Sequence, residues 1–404
     1  MKGFFYNTET NFKKSIPLLP QCGSCGLWKG CLSPKMPVAG QGLRKILVIA
    51  ESPGKDEDQQ NRPLVGRTGQ RFQRTIADYG IDLFRDCWVT NSARCRPHLN
   101  QLPEKAIEYC RPYVIQAVQE LKPETIILLG AKAVKSLVGW LWKEDTGQFQ
   151  RWTGWRIPVQ KINCWVCPTY HPSYIERAED DQDKNYELLE RFWRQHLKAA
   201  FSKQGRPWKT VPDWESSVRI VMDDSEAADM ILEMCKSSVP VAWDIEADRL
   251  KPDMPESEVV TCSLSDGTTT FAFPWYGQAI KAMREFLQSD VSKIASNLKY
   301  EHRWMLRHMK LSVRKWEWDT MLAAHVLDNR PGLSSIKFQA FVRLGVDSWD
   351  SHITPYFKAD NSNSKNRIKE ISLPNLLKYN ALDSLYEWKV SKIQKRKMGY
   401  DVHG

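Results

Sequence analysis

The sequence predicts a two-domain α/β protein, and three features of the 404-residue chain support this fold class. In the first half, apolar strand patterns such as KILVIA, DCWVTN and ETIILLG alternate with helical patterns, which is typical of a largely parallel sheet covered by helices. In the second half, three strand patterns precede a helix, a strand and a series of helices, which indicates a mixed sheet. Gly and Pro residues separate the halves. We therefore predict a first domain over 1–200, a linker over 201–216 and a second domain over 217–404.

A polar run, ADNSNSKNRIKE at 359–370, is expected to be a mobile loop.

The composition favours a protein that binds a polyanion. Lys and Arg number 58 against 48 Asp and Glu, a net charge of +10 that would attract a nucleic acid. No apolar run reaches the roughly 18 residues that span a bilayer, and no signal-peptide pattern opens the chain. We therefore expect no membrane partner and a cytoplasmic location, in a bacterium or a virus-infected host cell. Ten cysteines without an export signal favour metal or redox chemistry over disulfides.

Two carboxylates, Asp244 and Glu246 in VPVAWDIEADRL, follow an apolar run and lie on one face of a predicted strand, because side chains alternate along a strand. Acids that face the same way repel each other unless a cation lies between them, and divalent metal ions usually fill that role. Downstream, Tyr379 and Asp383 share one face of a predicted helix. The pattern predicts a site that holds a metal and a water together. The alternative is that these acids are solvated surface charges.

The order of three motifs, Asp-x-Glu, NLKYE at 297–301 and Tyr-x-x-x-Asp, resembles the proofreading 3′-5′ exonuclease domain of the DNA polymerase I family over about residues 214–404. The resemblance implies a ribonuclease H-like fold, two divalent cations (Mg or Mn) and a water-orienting role for Tyr379. The metal ligands that it implies are Asp244, Glu246, Glu301 and Asp383. The family has Asp where Glu301 stands, and a misplacement of about an ångström can cost roughly 100-fold in rate.

Three predicted strands of the first half end beside polar residues, namely Glu51, Asn91 and His171. Ligands gather at the carboxyl ends of strands in open α/β sheets, so we expect these side chains to lie together. Taken singly, Asn91 fits a turn residue at a strand end and His171 fits a cap or core histidine.

Four cysteines form two pairs, Cys22 with Cys25 and Cys95 with Cys110. Four thiolates suit either a structural zinc ion or an iron–sulfur cluster, and the spacing alone does not choose between them. A redox Cys-x-x-Cys pair is a further alternative. Pairs of the thioredoxin type follow a strand, however, and no strand pattern precedes Cys22.

Five ordered segments between Cys22 and about Tyr174 resemble the family 4 uracil-DNA glycosylases: CGSC, ESPGKDEDQQNRPLVGRTGQ, TNSARCRPHLNQLP, Cys110 and PTYHPSY. The resemblance implies a three-layer α/β/α fold. It also implies that the four cysteines hold a 4Fe-4S cluster with a structural role.

The same resemblance assigns roles to the polar residues at the strand ends. Asn91 would read the Watson–Crick edge of an extruded uracil, and His171 would stabilise the departing base. Glu51 lies in the motif that positions the attacking water, and Glu57 matches a second acidic position of that loop.

The chain departs from the family pattern at the base-binding loop. Leu64 stands in PLVG where the family has the aromatic residue of PFVG, and Ala50 replaces a glycine. Loss of the aromatic face removes about 1–3 kcal/mol of base stacking. Ser52 completes the base-binding set at a position that varies in the family and carries no inference by itself. Two alternatives to uracil excision follow: a glycosylase for a modified pyrimidine, and a non-cleaving iron–sulfur module that docks DNA for the nuclease.

Together the two resemblances imply a DNA repair or replication enzyme that combines base excision with 3′-5′ proofreading. The expected partner is DNA, in single strands or frayed ends. The chain runs about twenty residues past Asp383 without a polymerase domain, so we expect proofreading to be supplied to a separate DNA polymerase.

Overall fold

The computed structural model describes residues 22–400, which divide into two compact units with the boundary between Lys209 and Thr210. This boundary falls inside the predicted linker. Its first residue, Phe201, is the last residue of a helix. Beyond it, the Arg206 guanidinium donates to the Lys122 carbonyl at 3.1 Å, and the Trp208 indole donates to the Pro158 carbonyl at 2.7 Å. The chain up to Trp208 is therefore hydrogen-bonded to the first unit.

The first unit contains a five-stranded sheet in the order β2-β1-β3-β5-β4. The strands pair in parallel, except that β4 runs antiparallel to β5. The predicted, largely parallel sheet is thus confirmed. The strands are β1 (Ile46–Ala50), β2 (Cys87–Asn91), β3 (Thr125–Leu129), β4 (Ile157–Val159) and β5 (Cys164–Thr169). The helices are α1 (Lys55–Gln60), α2 (Arg67–Ala77), α3 (Leu83–Asp86), α4 (Glu104–Leu121), α5 (Ala131–Leu141), α6 (Pro172–Asp180) and α7 (Tyr186–Phe201).

Burial explains why these strands read as continuous apolar runs. Every residue of β1 and of β3 is buried. A parallel sheet has helices on both faces, so both sets of alternating side chains need to be apolar. Pro158 lies in β4 at the edge of the sheet, where its missing N–H removes no internal ladder bond.

The second unit contains a mixed six-stranded sheet in the order β11-β10-β7-β8-β9-β6, with the Asp-x-Glu strand β7 in its interior, as predicted. The strands are β6 (Arg219–Ile220), β7 (Val241–Ala247), β8 (Val259–Ser265), β9 (Thr270–Pro274), β10 (Lys293–Ala295) and β11 (Trp316–Asp319). The helices are α8 (Asp224–Met234), α9 (Gly277–Gln288), α10 (Lys299–His308), α11 (Thr320–Leu327), α12 (Ile336–Leu344), α13 (Thr354–Phe357) and α14 (Leu373–Lys397).

Three elements of the second unit were not predicted from the sequence: β6, α8 and β11. Helix α8 begins after Asp223, whose carboxylate accepts from the amides of Ser225 and Glu226. An Asp at this N-cap position is a sequence signal from which the helix could have been predicted. The edge strands β6 and β11 are two and four residues long and have weak apolar patterns, so they form mainly because the sheet offers them partners.

Helix α14 crosses the second sheet and carries an unusual number of buried polar side chains. Its Asn380 is fully buried, where the side-chain oxygen accepts from the Thr261 hydroxyl at 3.0 Å and the main-chain carbonyl accepts from the Ser263 hydroxyl at 2.8 Å. Thr261 and Ser263 belong to β8, which pairs with β7. These bonds fix the helix against the sheet at the level of the Asp-x-Glu pair.

The polar run at 359–370 is bonded to the segment that follows β7. The Asn366 amide side chain donates to the Ala247 carbonyl at 3.0 Å, and its main-chain N–H donates to the Asp248 carbonyl at 2.9 Å. The Arg249 guanidinium donates to the Asn363 carbonyl at 2.8 Å.

None of the helices described between residues 22 and 400 has the length and apolar content needed to cross a membrane.

Candidate functional site

Three polar residues follow or end neighbouring strands of the first sheet, at its carboxyl edge. Asn91 ends β2 directly opposite Ala50, so Glu51 is the next residue along the neighbouring strand. On the other side of β1, Gly130 follows β3 and donates its N–H to the Thr169 carbonyl at 2.9 Å. His171 lies two residues beyond that point, as the N-cap of α6. Glu51, Asn91 and His171 therefore stand at the same edge of one sheet.

The hydrogen bonds of His171 identify the ring nitrogen that carries the proton. The Ser173 main-chain N–H donates to Nδ1 at 3.2 Å, and the Ser173 hydroxyl lies 2.7 Å from the same nitrogen. Because Nδ1 accepts, the proton of a neutral ring is on Nε2. Burial, with a smaller effect of Arg177, lowers the pKa of His171 to about 4. The side chain is thus a neutral Nε2–H donor at ordinary pH.

Asn91 and Glu51 complete the polar edge. Asn91 is 3 % exposed, and its Nδ2 donates to the Met36 sulfur at 3.8 Å. A thioether is a weak acceptor, so a ligand carbonyl would bind this amide more strongly. Burial raises the pKa of Glu51, while Lys132 and Arg177 lower it. A carboxylate in a partly dry site can stabilise developing positive charge.

Glu57 has its carboxylate engaged by the loop that it belongs to. One oxygen accepts from the amides of Val65 and Gly66 at 3.1 and 2.8 Å, and the other accepts from the Gly54 amide at 3.0 Å. Three such bonds fix the path of residues 54–66. The catalytic role that the resemblance implies for Glu57 stays a prediction, and these contacts favour a role in positioning the loop.

The neighbouring Asp58 joins the same loop to the cysteine-bearing segment. It is 1 % exposed and accepts from the amides of Leu32 and Ser33 at 3.1 and 2.9 Å. The loop that holds Glu51 and the chain that follows Cys25 are therefore connected by partly buried, charge-assisted hydrogen bonds.

Leu64 lies in the left-handed backbone region, with φ of 55°, and is 6 % exposed. A branched side chain is rarely found there, and such strain tends to be kept at functional sites. Close packing holds it: the Leu64 carbonyl accepts from Gln73 at 2.8 Å, and a Cβ on Gly69 would lie 2.1 Å from the Leu64 carbonyl carbon. Ser52 is half-buried next to Glu51.

The four paired cysteines line one cavity, together with Lys35, Arg94 and the two tyrosines Tyr109 and Tyr113. The Lys35 amide donates to the Cys95 sulfur at 3.3 Å. Four cysteines around one cavity could hold a structural metal ion or an iron–sulfur cluster.

In the second unit, oxygen atoms of Asp244, Glu246 and Asp383 lie within 4.8 Å of one another. The first two come from adjacent same-face positions of β7, and the third comes from α14. Loss of water and mutual repulsion raise the pKa of Asp244 and Glu246 well above the ordinary range. Burial raises the pKa of Asp383 to about 6. The three acids form a site that a divalent cation would neutralise.

Three further residues organise these acids and were not identified from the sequence. The Asn380 amide donates to Asp244 at 2.6 Å, and the Trp349 indole donates to Asp383 at 3.0 Å. Lys337 bonds Asp350 at 2.6 Å and lowers the pKa of Asp383. Asn380 directly follows Tyr379 and occupies an unspecified position of the Tyr-x-x-x-Asp motif, so the motif does not identify it.

Tyr379 and Glu301 have different relations to the three acids. Tyr379 is 6 % exposed and hydrogen-bonds to Asp383, which agrees with their spacing on one helical face. Glu301 is 2 % exposed on α10 and does not belong to the group within 4.8 Å. Its pKa is raised by burial first and by Asp244 second. Asp244 is thus the charged group that raises the pKa of Glu301 most.

Comparison with known proteins agrees with this arrangement. Residues 38–196 match the model of the uracil DNA glycosylase superfamily, and residues 218–397 match that of a 3′-5′ exonuclease family. A type-4 uracil-DNA glycosylase of Pyrobaculum aerophilum is 31% identical over 172 residues, which cover 41% of this chain and 85% of that protein. Another, of Saccharolobus solfataricus, is 35% identical over 160 residues, covering 38% of this chain and 71% of that protein.

A DNA polymerase of Bacillus phage SP01 is 24% identical over 327 residues, which cover 74% of this chain and 34% of the polymerase. Among solved structures, Escherichia coli RNase D is similar to 45% of this chain and 46% of its own, with 14% identity and a TM-score of 0.35.

The molecule is therefore a DNA-acting enzyme in which a uracil-DNA glycosylase domain and a 3′-5′ exonuclease domain share one chain. Through its first unit the chain belongs to the type-4 uracil-DNA glycosylases. The expected fusion of these two domains is confirmed.

Gly130→Ala tests the packing that places His171. Gly130 has φ of 86°, and an added Cβ would lie 2.9 Å from the His171 Cβ. We expect base excision to fall by roughly 100-fold, because a displacement of about an ångström suffices. Gly80→Ala is the matched control, since Gly80 has φ of 72° with open space around the added atom. Excision by excess enzyme and thermal unfolding would be compared. Equal excision by the two variants would contradict the role given to this contact.

Metal binding at the three acids should depend on pH in a defined direction. Protons compete with a cation for carboxylates whose pKa is raised, and the pKa of Asp383 is about 6. Mn²⁺ affinity should therefore fall as the pH drops through about 6. Lys337→Met removes the cation that lowers the pKa of Asp383, so the loss should move to higher pH. Calorimetric titration with Mn²⁺ at a series of pH values checks both statements. A flat affinity over the series would disprove them.

Proposed function

We propose that this chain removes uracil from DNA through its first unit and digests DNA from the 3′ end, with divalent cations, through its second. The observation that carries the first activity is the neutral Nε2–H of His171 at the sheet edge that also holds Asn91 and Glu51. The observation that carries the second is the convergence of Asp244, Glu246 and Asp383.

Cleavage of the bond between uracil and deoxyribose leaves negative charge on the base and positive charge on the sugar. A neutral His171 can donate an Nε2–H bond to the base oxygen as that charge develops. The carboxylate of Glu51 acts on the other charge, because it stabilises the cationic sugar and orients the attacking water. The Asn91 amide would hold the extruded base by its Watson–Crick edge.

The 4Fe-4S cluster would be held by Cys22, Cys25, Cys95 and Cys110. Burial raises the pKa of Cys110 to about 11, so the thiol ionises readily only beside a cationic group. When bound, the cluster supplies a structural cross-link and no chemistry of the excision itself.

The nuclease reaction would use Asp244, Glu246, Asp383 and Glu301 as metal ligands. Two divalent cations, when bound, supply an activated water and stabilise the leaving oxygen. Tyr379 orients that water through its hydroxyl, which Asp383 holds by a hydrogen bond. Asn380 and Trp349 keep the carboxylates in place.

A cavity of about 450 Å³ beside Glu246 is suited to the 3′-terminal nucleotide. Its walls include Tyr300 and Phe357, on which a base can stack, and Asn361 and Asn366 of the polar run. A single strand or a frayed end fits such a pocket better than a paired end does. The match to a phage polymerase supports action beside a separate DNA polymerase.

Leu64 supports one alternative substrate, a modified pyrimidine. A buried leucine in a strained backbone gives the base pocket a shape that differs from the aromatic one of the family. The non-cleaving docking module is less well supported, because Asn91, Glu51 and the donor His171 all stand at the site. Release of uracil and of 5-substituted uracils from the same oligonucleotide would compare these substrates.

Single substitutions should separate the two activities. Asp244→Asn should abolish Mg²⁺-dependent 3′-5′ digestion and leave uracil excision intact, because Asp244 lies in the second unit. His171→Ala should do the reverse, reducing excision by roughly 100-fold or more through loss of one oxyanion donor. The assay uses end-labelled single strands with one uracil, in EDTA followed by alkali for excision and in Mg²⁺ for digestion. A thymine strand is the control. Loss of both activities in either variant would contradict independent sites.

Leu64→Phe should strengthen uracil excision. The added aromatic face restores stacking of about 1–3 kcal/mol, which corresponds to roughly 5- to 150-fold in base binding. Phe at a buried position can overpack the core by about 1–3 kcal/mol, so the melting temperature is measured alongside. Single-turnover excision of uracil is the readout. A stable variant with unchanged or weaker uracil excision would show that the pocket is shaped for another base.

A further inference from the structure

Four aromatic rings of the first unit stack in a row. The Tyr174 and Tyr170 rings have centroids 5.6 Å apart and an angle of 23° between their planes. Tyr170 and His196 follow at 6.0 Å and 20°, and His196 and Phe192 follow at 6.4 Å and 12°. Ring pairs at such distances attract each other. These four residues form a continuous aromatic row.

The aromatic row begins beside the base-excision residues. Tyr170 directly precedes His171, and Tyr174 lies in the first turn of α6, the helix that His171 caps. His196 of α7 is held at the end of the same strand, β5, because its Nδ1 lies 3.3 Å from the Thr169 hydroxyl. The row therefore leads away from the carboxyl edge of the first sheet along α7.

Core packing does not explain the two ends of the aromatic row. Helix α7 buries Trp193 and Leu197 completely, whereas Phe192 is 41% exposed. Tyr174, at the other end, is 44% exposed. Among the described residues, each end ring stacks on one other ring. Aromatic surface that is contiguous and exposed in this way is typical of a binding surface.

The charges along α7 favour a ligand that carries phosphates. Arg191 and Lys198 are exposed, line a surface groove of about 430 Å³, and have no ion pair among the described residues. Glu190 in the same groove is ion-paired with two arginines. The remaining acid of the groove is Glu187. Two unpaired cations against one unpaired acid leave this surface positive, which attracts a nucleic acid backbone.

We propose that the aromatic row stacks the unpaired bases next to the target nucleotide, so that the first unit takes its substrate as single-stranded DNA. Every base has a π-face, so such a surface accepts neighbours of any sequence. Bases in a duplex already stack on each other and offer no face to the row. The inference depends on the proposed base excision.

The first test is single-turnover uracil excision by the whole protein in EDTA, over a range of enzyme concentrations, on a single strand of about 15 nucleotides. Phe192→Ala should raise the half-saturating enzyme concentration by roughly 5- to 150-fold, because one stacked base is lost. The loss should appear in this concentration and not in the rate at saturation, since Phe192 lies at the far end of the row.

Three further variants show whether the ring itself matters. Phe192→Leu keeps an apolar side chain without a π-face and should behave as Phe192→Ala does, whereas Phe192→Trp should bind as tightly as wild type or more tightly. Leu188→Ala is the matched control, because Leu188 is 50% exposed one turn earlier on α7 and has no ring. It should bind as wild type does. Equal binding by wild type and Phe192→Leu would overturn the inference.

The second test removes bases from the DNA. Abasic spacers replace the neighbours of the uracil, first on its 5′ side and then on its 3′ side. On one side they should weaken binding by wild type and have little further effect on Phe192→Ala, because the ring and the base act as one pair. Additive losses on both sides, or no loss on either, would show that the row contacts something other than DNA bases.

The outcomes also separate this inference from the proposed function. If wild type releases neither uracil nor a 5-substituted uracil from a single strand, the proposed base excision is wrong and the inference is wrong with it. If wild type excises and Phe192→Ala has an unchanged half-saturating concentration, base excision stands and only the role of the aromatic row is wrong.

Discussion

Repulsion between carboxylates is the constraint on which the second unit depends. Asp244 and Glu246 on β7 lie close to Asp383 on α14. Apolar packing alone does not offset the repulsion between three carboxylates. The neutral donors Asn380 and Trp349 hold Asp244 and Asp383, and the cation Lys337 is ion-paired with Asp350, so the charge of the acids stays available for a divalent cation. A hydrogen bond from an amide orients a carboxylate without cancelling it, which a salt bridge at the same place would do.

Some residues of this acidic site could be predicted from the sequence and others could not. Alternation in β7 and helical spacing in α14 are local, so the placement of Asp244, Glu246, Tyr379 and Asp383 followed from short-range geometry. Lys337 and Trp349 come from segments whose own patterns say nothing about the acids. Their contacts arise only when α12 and the following loop pack against α14. Such long-range neighbours carry no signal in a single sequence.

In the first unit the prediction went further, because a parallel sheet gathers its carboxyl ends at one edge. The strands that precede Glu51, Asn91 and His171 could be read from apolar runs, and the register of β1 with β2 then sets two of the residues side by side. The protonation of His171 could not be read in this way. It depends on the Ser173 amide, which points at Nδ1 only because α6 begins there.

Glu57 and Asp58 are adjacent in sequence and bond in different directions. One fixes its own loop, and the other fixes the segment that follows the first cysteine pair. This arrangement limits how the enzyme can diverge. Insertions between Cys25 and Met36 would have to preserve the two amides that Asp58 binds, or they would disturb the loop that carries Glu51. Substrate range is therefore freer to change through side chains such as Leu64 than through the length of the cysteine-bearing segment.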